Sequence, residues 1–395
     1  MINICEKTKC SGCSACENVC PTHSICMKSD EEGFLYPHID KTLCIECGRC
    51  ERVCPVSNIE KCRQSAKAYK NAYIVQSKDK QVLLESTSGG AFSEVARLVL
   101  SKNGVVIGAA LNENKEVTHK AVVEWGEIAS FRNSKYTQSR VGSILSIAKD
   151  NLDKGNIVLF SGTPCQVEGL LCYLGHEYKN LITVDFACRG VPSPLLLSKY
   201  LKWISKREIV KGIKFRDKKY GYYSSMFSIT YKNWKSIYQD IDTNPMLHFF
   251  FKGLCSRPIC HECLFKSVNR RSDLTFFDCW HANVFDRTYG GKGATGIIVH
   301  TEKGLDVINA IKSNVKMCEI EMDKIVKLDG SMITKSVKPS MNRHDFFIDL
   351  NSQPFDYLVD KYIDNGALVR IKRLIKKCLT VSGFFNRVMK FRNSR

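Results

Sequence analysis

The 395-residue chain contains no apolar run near the ~18 residues that a membrane-crossing helix needs. Its best stretches are short, such as Gly104 to Leu111, so no transmembrane span is expected. It does not open on a basic segment leading into an apolar one. Met1-Ile2-Asn3-Ile4-Cys5-Glu6 argues against secretion and for a cytoplasmic protein. Acidic residues are the scarcer sign of charge, 40 against 59 Lys and Arg, which leaves a net charge of +19. That excess suits an acidic partner or a phosphate-bearing ligand. No helix-turn-helix, zinc-finger or RNA-sheet signature accompanies it, so nucleic acid is not expected as a partner. The chain also lacks any fixed-period repeat or low-complexity tract, and its length implies two or three ordinary domains.

Cysteine is abundant. Twenty are present, eleven of them before residue 63, and in a reducing compartment such thiols are free to hold metal. Two runs of Cys-x2-Cys-x2-Cys-x3-Cys-Pro stand out: Cys10, Cys13, Cys16, Cys20 and Pro21, then Cys44, Cys47, Cys50, Cys54 and Pro55. Three thiolates within seven residues can converge on one iron-sulfur cube, while the fourth, beside a proline turn, is thrown across to the neighbouring cube. The spacing therefore predicts two [4Fe-4S] clusters ligated crosswise, one by Cys10, Cys13, Cys16 and Cys54, the other by Cys44, Cys47, Cys50 and Cys20. Structural zinc would leave the third close cysteine of each run unused, and disulfides would need an oxidising compartment. Cys5, Cys26 and Cys62 lie outside the runs and read as buried small apolar residues.

After a polar linker near Lys61 to Lys67, strands and helices alternate, which favours a mainly parallel sheet. Strands are expected at Ala72 to Gln76, Val105 to Leu111, Val117 to Trp125, Ile157 to Phe160 and Leu181 to Ala187. Further ones fall at Ile209 to Phe215, Met226 to Tyr231, Leu274 to Phe277 and Ile297 to Thr301. Helices are expected after Gly90, over Val141 to Leu152, from Pro164 with Thr163 as N-cap, and over Leu195 to Ser205. The fold class is thus α+β or α/β: a small ferredoxin-like 2[4Fe-4S] domain, then a mixed-sheet α/β body of flavoprotein type. From Ala367 to Arg395 there are nine Lys or Arg and no Asp or Glu, with apolar residues at helical spacing. That basic amphipathic helix suits an anionic membrane surface or a partner; the plainer reading is a terminal helix covering the core.

More candidate chemistry lies beyond the cysteine runs. Cys165 and Cys188 each follow a predicted strand at one edge of a parallel sheet, where both can converge with Cys260 and Cys263. A third cluster on these four is one reading; bound zinc or inert core thiols are the others. Cys255, Cys260 and Cys263 also show the Cys-x4-Cys-x2-Cys spacing that opens a plant-type [2Fe-2S] site. Two helix-opening turns, Thr87-Ser88-Gly89-Gly90 and Gly162-Thr163-Pro164, offer free N–H groups to a pyrophosphate. Arg216, Lys218 and Lys219, in the basic cluster from Lys206 to Lys219, are candidates for a phosphate or carboxylate; solvated surface charge is the alternative. Gly291-Lys292-Gly293-Ala294-Thr295-Gly296 spells G-x-G-x-x-G, but it precedes a strand instead of following one and is no dinucleotide signature.

With these residues assembled, the chain resembles the coenzyme F420 hydrogenase/dehydrogenase beta subunits, in the bacterial form with a fused N-terminal double-cluster ferredoxin. The matching stretches are Thr87 to Phe92, Lys135-Tyr136-Thr137-Gln138-Ser139, Gly162-Thr163-Pro164-Cys165-Gln166, Cys188 to Pro194, Phe215-Arg216-Asp217-Lys218 and Arg257 to Lys266. The resemblance implies an oxidoreductase that binds FAD, exchanges hydride with a deazaflavin coenzyme or another carrier, and passes electrons through iron-sulfur clusters to a redox partner. It places Ser88, Gly89, Gly90 and the loop with Lys135, Tyr136 and Gln138 at the flavin, and makes Cys165, Cys188, Cys260 and Cys263 cluster-bearing. The chain departs from the family pattern at Arg189, where histidine is usual, and at Cys279. Similar bacterial proteins accompany polysaccharide pathways. The layout expected is 1–62 for the ferredoxin-type domain, 66–150 and 151–340 for the two beta-subunit-like regions, and 341–395 for the basic tail. A ferredoxin-like carrier or accessory protein with no substrate of its own is the alternative.

Overall fold

The computed structural model describes residues 2–68, 71–206, 208–289 and 291–393, so Arg207 and Arg395 of the two basic segments fall outside the described residues. Its N-terminal region is built on a hairpin in which β1 (Ile25–Ser29) pairs antiparallel with β2 (Leu35–Ile39), Ile25 facing Ile39. Two short helices flank it, Ala15–Val19 and Arg49–Arg52, each launched from a left-handed residue, Ser14 at φ 60° and Gly48 at φ 68°. These sharp entries fold each cysteine run back on itself.

The body supplies β3 (Asn71–Ser77), β4 (Val105–Leu111), β5 (Val117–Val122), β6 (Val158–Ser161), β7 (Leu181–Phe186), β8 (Val210–Asp217), β9 (Met226–Tyr231), β10 (Ser236–Gln239), β11 (Leu274–Asp278), β12 (Thr295–Val299) and β13 (Val315–Glu321). Eight of them form one sheet in the order β13-β3-β12-β11-β7-β6-β4-β5. Its centre, β11-β7-β6-β4, is parallel, and the outer strands pair antiparallel. Alternation sends successive residues to opposite faces. Val106 and Leu159 pack with Val95, Ala96 and Val99 of the helix Ala91–Leu100 on one side. Ile107, Val158 and Phe160 pack with the helices Ile144–Asp153 and Pro164–Leu174 on the other. Burial on both faces is why the central strands read as unbroken apolar runs.

β8, β9 and β10 leave this sheet and form a three-stranded antiparallel one. It is covered by an aromatic core in which Phe215, Phe227, Phe249, Phe346 and Tyr200 are all nearly or fully buried. The expected strand Val117 to Trp125 stops at Val122, and a 3-10 helix takes over at Trp125–Ser130. Lys135 accounts for that turn, its ammonium donating to the carbonyls of Ser130, Phe131 and Arg132 at 2.9 Å each. The single tail helix expected is two, Ala367–Val381 and Phe384–Arg392, broken at Gly383 with φ 75°. Among the described residues no helix is long and apolar enough to cross a membrane.

Candidate metal centres and cleft

The cysteine runs interleave. Cys10, Cys13, Cys16 and Cys54 line one small cavity, and Cys20, Cys44, Cys47 and Cys50 line a second. These are the two sets that crosswise pairing requires. Apolar residues finish both walls, Ile4, Met27 and Val56 at the first, Ile2, Ile25 and Ile39 at the second. Soft sulfur donors suit iron-sulfur chemistry and offer little to a cation that wants oxygen. Cys5 and Cys26 correct the reading of buried small residues. Cys26 is exposed, whereas Cys5 lines the first cavity, and its side chain, hydrogen-bonded to Cys10 and Cys54, holds both of those thiols below their usual range. Burial instead pushes the Cys13 thiol up to about 12.

A third sulfur group forms at the carboxyl edge of the parallel strands. β6 runs through Gly162-Thr163 into the Pro164–Leu174 helix and places Cys165 in its first turn; β7 ends just before Cys188. Burial raises the thiols of Cys165, Cys188 and Cys260, and each of the three is raised further by neighbours among Cys188, Cys260 and Cys263, so the four lie in one neighbourhood. The Gly190 N–H points at Cys188 Sγ, 3.4 Å away, and Thr163 Oγ1 lies 3.1 Å from Cys165 Sγ. Gly190 has to be glycine: its φ is +124°, and a Cβ there would sit 3.0 Å from that of Cys260. Cys255 lies apart, in the aromatic core, so the Cys-x4-Cys-x2-Cys triplet does not act as one unit. Cys279 packs in another core cluster.

Arg257, which sequence reasoning passed over, joins the N-terminal module to the body. It is fully buried and donates from Nε to the Cys10 carbonyl at 2.7 Å, from Nη1 to Gln138 Oε1 at 2.9 Å and from Nη2 to the Leu35 carbonyl at 3.0 Å. Gln138, expected at a flavin, is thereby committed to the module, with its Nε2 3.4 Å from the Ser11 carbonyl. Beside it, Gly169 packs so closely on Cys13 that a Cβ would lie 2.7 Å from the cysteine's own. Cys165, one helical turn earlier, shares that face of the helix. The first and third sulfur groups are thus neighbours.

Beyond the third group opens a cleft of about 710 Å³, lying where an open α/β sheet holds ligands. Ser88, Gly90, Lys135, Tyr136, Gly162, Thr163, Arg216 and Cys188 all line it. Gly89 sits beneath, where a Cβ would stand 2.2 Å from the Val75 carbonyl oxygen. The two helix-opening turns differ in their freedom to bind an anion. At the second, the Gln166 side chain reaches back to accept from the Thr163 N–H at 3.0 Å, so that end caps itself. At the first, the N-cap is Gly90, which brings no side-chain cap and leaves the first-turn N–H groups of Ala91–Leu100 open to a ligand. Arg216 is not a free phosphate-binding cation, because it is paired with Asp278, bonded to Ser225 Oγ at 2.7 Å and laid over the Trp280 ring. Nor is Lys218, whose ammonium is taken by the carbonyls of Leu83 (2.9 Å), Ser88 (2.6 Å) and Lys292 (3.1 Å). Both buttress the turns around the cleft. The tail reaches the same space, where Lys376 and Phe385 form part of the wall.

Residues 155–327 match the family model for the C terminus of the coenzyme F420 hydrogenase/dehydrogenase beta subunit, and residues 9–58 match that for the 4Fe-4S dicluster domain. No curated protein matches the chain. Among solved structures, a chain of the xenon-derivatised F420-reducing [NiFe] hydrogenase complex from Methanosarcina barkeri aligns over 75% of this chain and 94% of its own, at 13% identity and a TM-score of 0.44. The protein is an iron-sulfur electron-transfer protein with a 4Fe-4S dicluster domain, related over residues 155–327 to the C terminus of the coenzyme F420 hydrogenase/dehydrogenase beta subunit.

Proposed function

We propose that this chain is a flavin-dependent oxidoreductase in which the cleft holds FAD and the three sulfur groups hold [4Fe-4S] clusters on the ligand sets Cys10/Cys13/Cys16/Cys54, Cys44/Cys47/Cys50/Cys20 and Cys165/Cys188/Cys260/Cys263. One observation carries the reading: Cys188 belongs to the third sulfur group and also lines the cleft, while the next residues along the Cys165 helix press on Cys13. A flavin supplies the exchange between a two-electron hydride donor and one-electron acceptors. The chain's own part is to bind and orient. The open helix end at Gly90 faces the phosphates, Lys218 fixes the Ser88 turn, and Tyr136 with Phe250 and Phe251 forms an apolar wall that keeps water from the reacting face. The hydride carrier is a deazaflavin coenzyme or a molecule of like chemistry.

The second set is the outermost, with Cys47 exposed and Leu43 and Ile45 more than half exposed beside it. A redox partner protein docks there. The tail adds a peripheral contact, since Leu368, Ile371, Leu374 and Phe384 are all at least half exposed among its basic residues, as a cytoplasmic anionic membrane surface would require.

Anaerobic purification with iron, sulfide and flavin counted per chain tests the proposal. About twelve irons with matching sulfide and one flavin are expected, and Cys188→Ser should remove about four irons while leaving the rest. About eight irons with no yellow chromophore would reduce the chain to an electron carrier.

A further inference from the structure

Cys62 and Cys172 belong to none of the three sulfur groups, yet they meet across the seam those groups share. Cys62 is buried on the short helix Ile59–Gln64 of the N-terminal module, and Cys172 is half-buried near the end of the Pro164–Leu174 helix. Their Sγ atoms lie 3.6 Å apart. The reading of Cys62 as an inert core residue is therefore incomplete. Along that helix Cys165, Gly169 and Cys172 are spaced by four and three residues, so all three share one face. The face meets the N-terminal module at two of them, Gly169 against Cys13 and Cys172 against Cys62.

The surroundings decide what the pair can do. With Glu168, the two sulfurs lie close enough together to hold a metal ion. Arg271, however, already stands among them, its Nη1 3.1 Å from Glu168 Oε2, 3.9 Å from Cys62 Sγ and 3.8 Å from Cys172 Sγ. A fixed guanidinium repels a metal cation and favours a thiolate. To reach the bonded S–S distance of about 2.0 Å, the sulfurs need to close by only about 1.6 Å.

We propose that Cys62 and Cys172 form a reversible dithiol–disulfide clasp between the N-terminal module and the α/β body, with a low-molecular-weight disulfide as its co-substrate. Cys172 gives up its proton, and its thiolate attacks one sulfur of that disulfide, whose other sulfur leaves with that proton as the first small thiol. Cys62 gives up its proton and attacks the mixed disulfide, forming the Cys62–Cys172 bond and releasing the second. Two protein thiols are oxidised, one small disulfide is reduced to two thiols, and these carry away both protons. Closed, the clasp ties the module to the helix that bears Cys165. It depends on neither the flavin nor the third sulfur group.

The test uses the full chain with its iron and sulfide intact, incubated anaerobically with glutathione disulfide, alkylated and digested. A peptide linked through Cys62 and Cys172 is expected, reversed by dithiothreitol, absent from Cys172→Ser and formed at undiminished yield in Cys318→Ser. Cys62→Ser should instead leave a glutathione adduct on Cys172. The wild-type digest decides the matter even if a variant folds poorly. Alkylation or glutathionylation of both thiols with no linked peptide would overturn the clasp, as would a stoichiometric zinc that Cys172→Ser removes.

Discussion

Arg257 concentrates much of the module's attachment in one side chain. A planar guanidinium with fixed N–H directions reaches two carbonyls of the N-terminal module and one carboxamide of the body at once, which a lysine ammonium could not reproduce. Arg257→Met keeps most of the volume but leaves the buried carbonyls of Cys10 and Leu35 without that donor. The expected loss is about 1–3 kcal/mol of module attachment for each acceptor left unpaired in the interior. Limited proteolysis should then cut near residues 63–68 in the variant under conditions that leave the wild type whole, and wild-type resistance in the variant would show that the seam does not depend on this residue. In the sequence, Arg257 was hidden. It stands only as the first residue of a matching stretch, with no role attached, and its acceptors lie 119 to 247 positions away. The cysteines were legible because their chemistry is written in spacings of two and three residues, which local turns turn directly into convergent sulfurs.

Among the elements, what was local was readable and what was long-range was not. Thr163 ahead of Pro164 announces a helix start that the structure contains, since a cap needs only its own first turn, and the helix expected from Leu195 opens one residue earlier, at Pro194, capped by Ser193. β10 and β13 escaped notice because they are polar edge strands, paired on one side alone, whose registers with β9 and β3 come from the fold. The cap at Asp79 is a measurable case. Its carboxylate accepts from the N–H groups of Gln81 and Val82 at 2.9 and 3.1 Å and pairs with Arg97 at 2.8 Å. It thereby anchors the helix Lys80–Glu85 that leads into the Ser86 to Gly90 turn. Arg97 first, and then the capped N–H groups, hold this carboxyl below its usual range. A depressed carboxyl stabilises the fold fully above about pH 4, and that share is lost as pH falls through the depressed value. Asp79→Ala should cost about 1 kcal/mol at neutral pH, read from denaturant midpoints, and the gap to the wild type should narrow in acid. A gap that stayed constant to pH 2 would mean the carboxylate contributes nothing by its charge.

At the scale of the whole molecule, the modules are arranged in series: an exposed sulfur group, a buried one, a third at the sheet's carboxyl edge, then the cleft, with the tail across part of its wall. The tail's composition allowed two readings, a contact with an anionic membrane or a partner and the plainer one of a terminal helix covering the core. The structure has it face both ways. Lys376 pairs with Asp240 at 2.8 Å and also with Asp242, and Asn386 Oδ1 accepts from the Tyr223 N–H at 3.0 Å while Nδ2 donates to Ser224 Oγ at 2.8 Å. These bonds hold both tail helices to the loops around the cleft, leaving Leu368, Ile371, Leu374 and Phe384 exposed. Truncation after Asp364 would leave the pair of Asp240 and Asp242 without its cation. The folded core does not depend on these helices, because the aromatic cluster is completed by Phe346 and Phe355, ahead of the cut. If the cleft holds a flavin, as proposed, its exchange, followed by fluorescence after mixing with excess cofactor, should therefore speed up by about tenfold, equivalent to about 1.4 kcal/mol of lost retention. Binding to vesicles rich in phosphatidylserine should vanish in the same variant and, in the full chain, weaken steeply with salt, since each basic side chain near an anionic surface contributes about 1 kcal/mol screened over a Debye length. Unchanged exchange with lost vesicle binding would make the tail a surface anchor and not a cover; the reverse pattern would make it a cover alone.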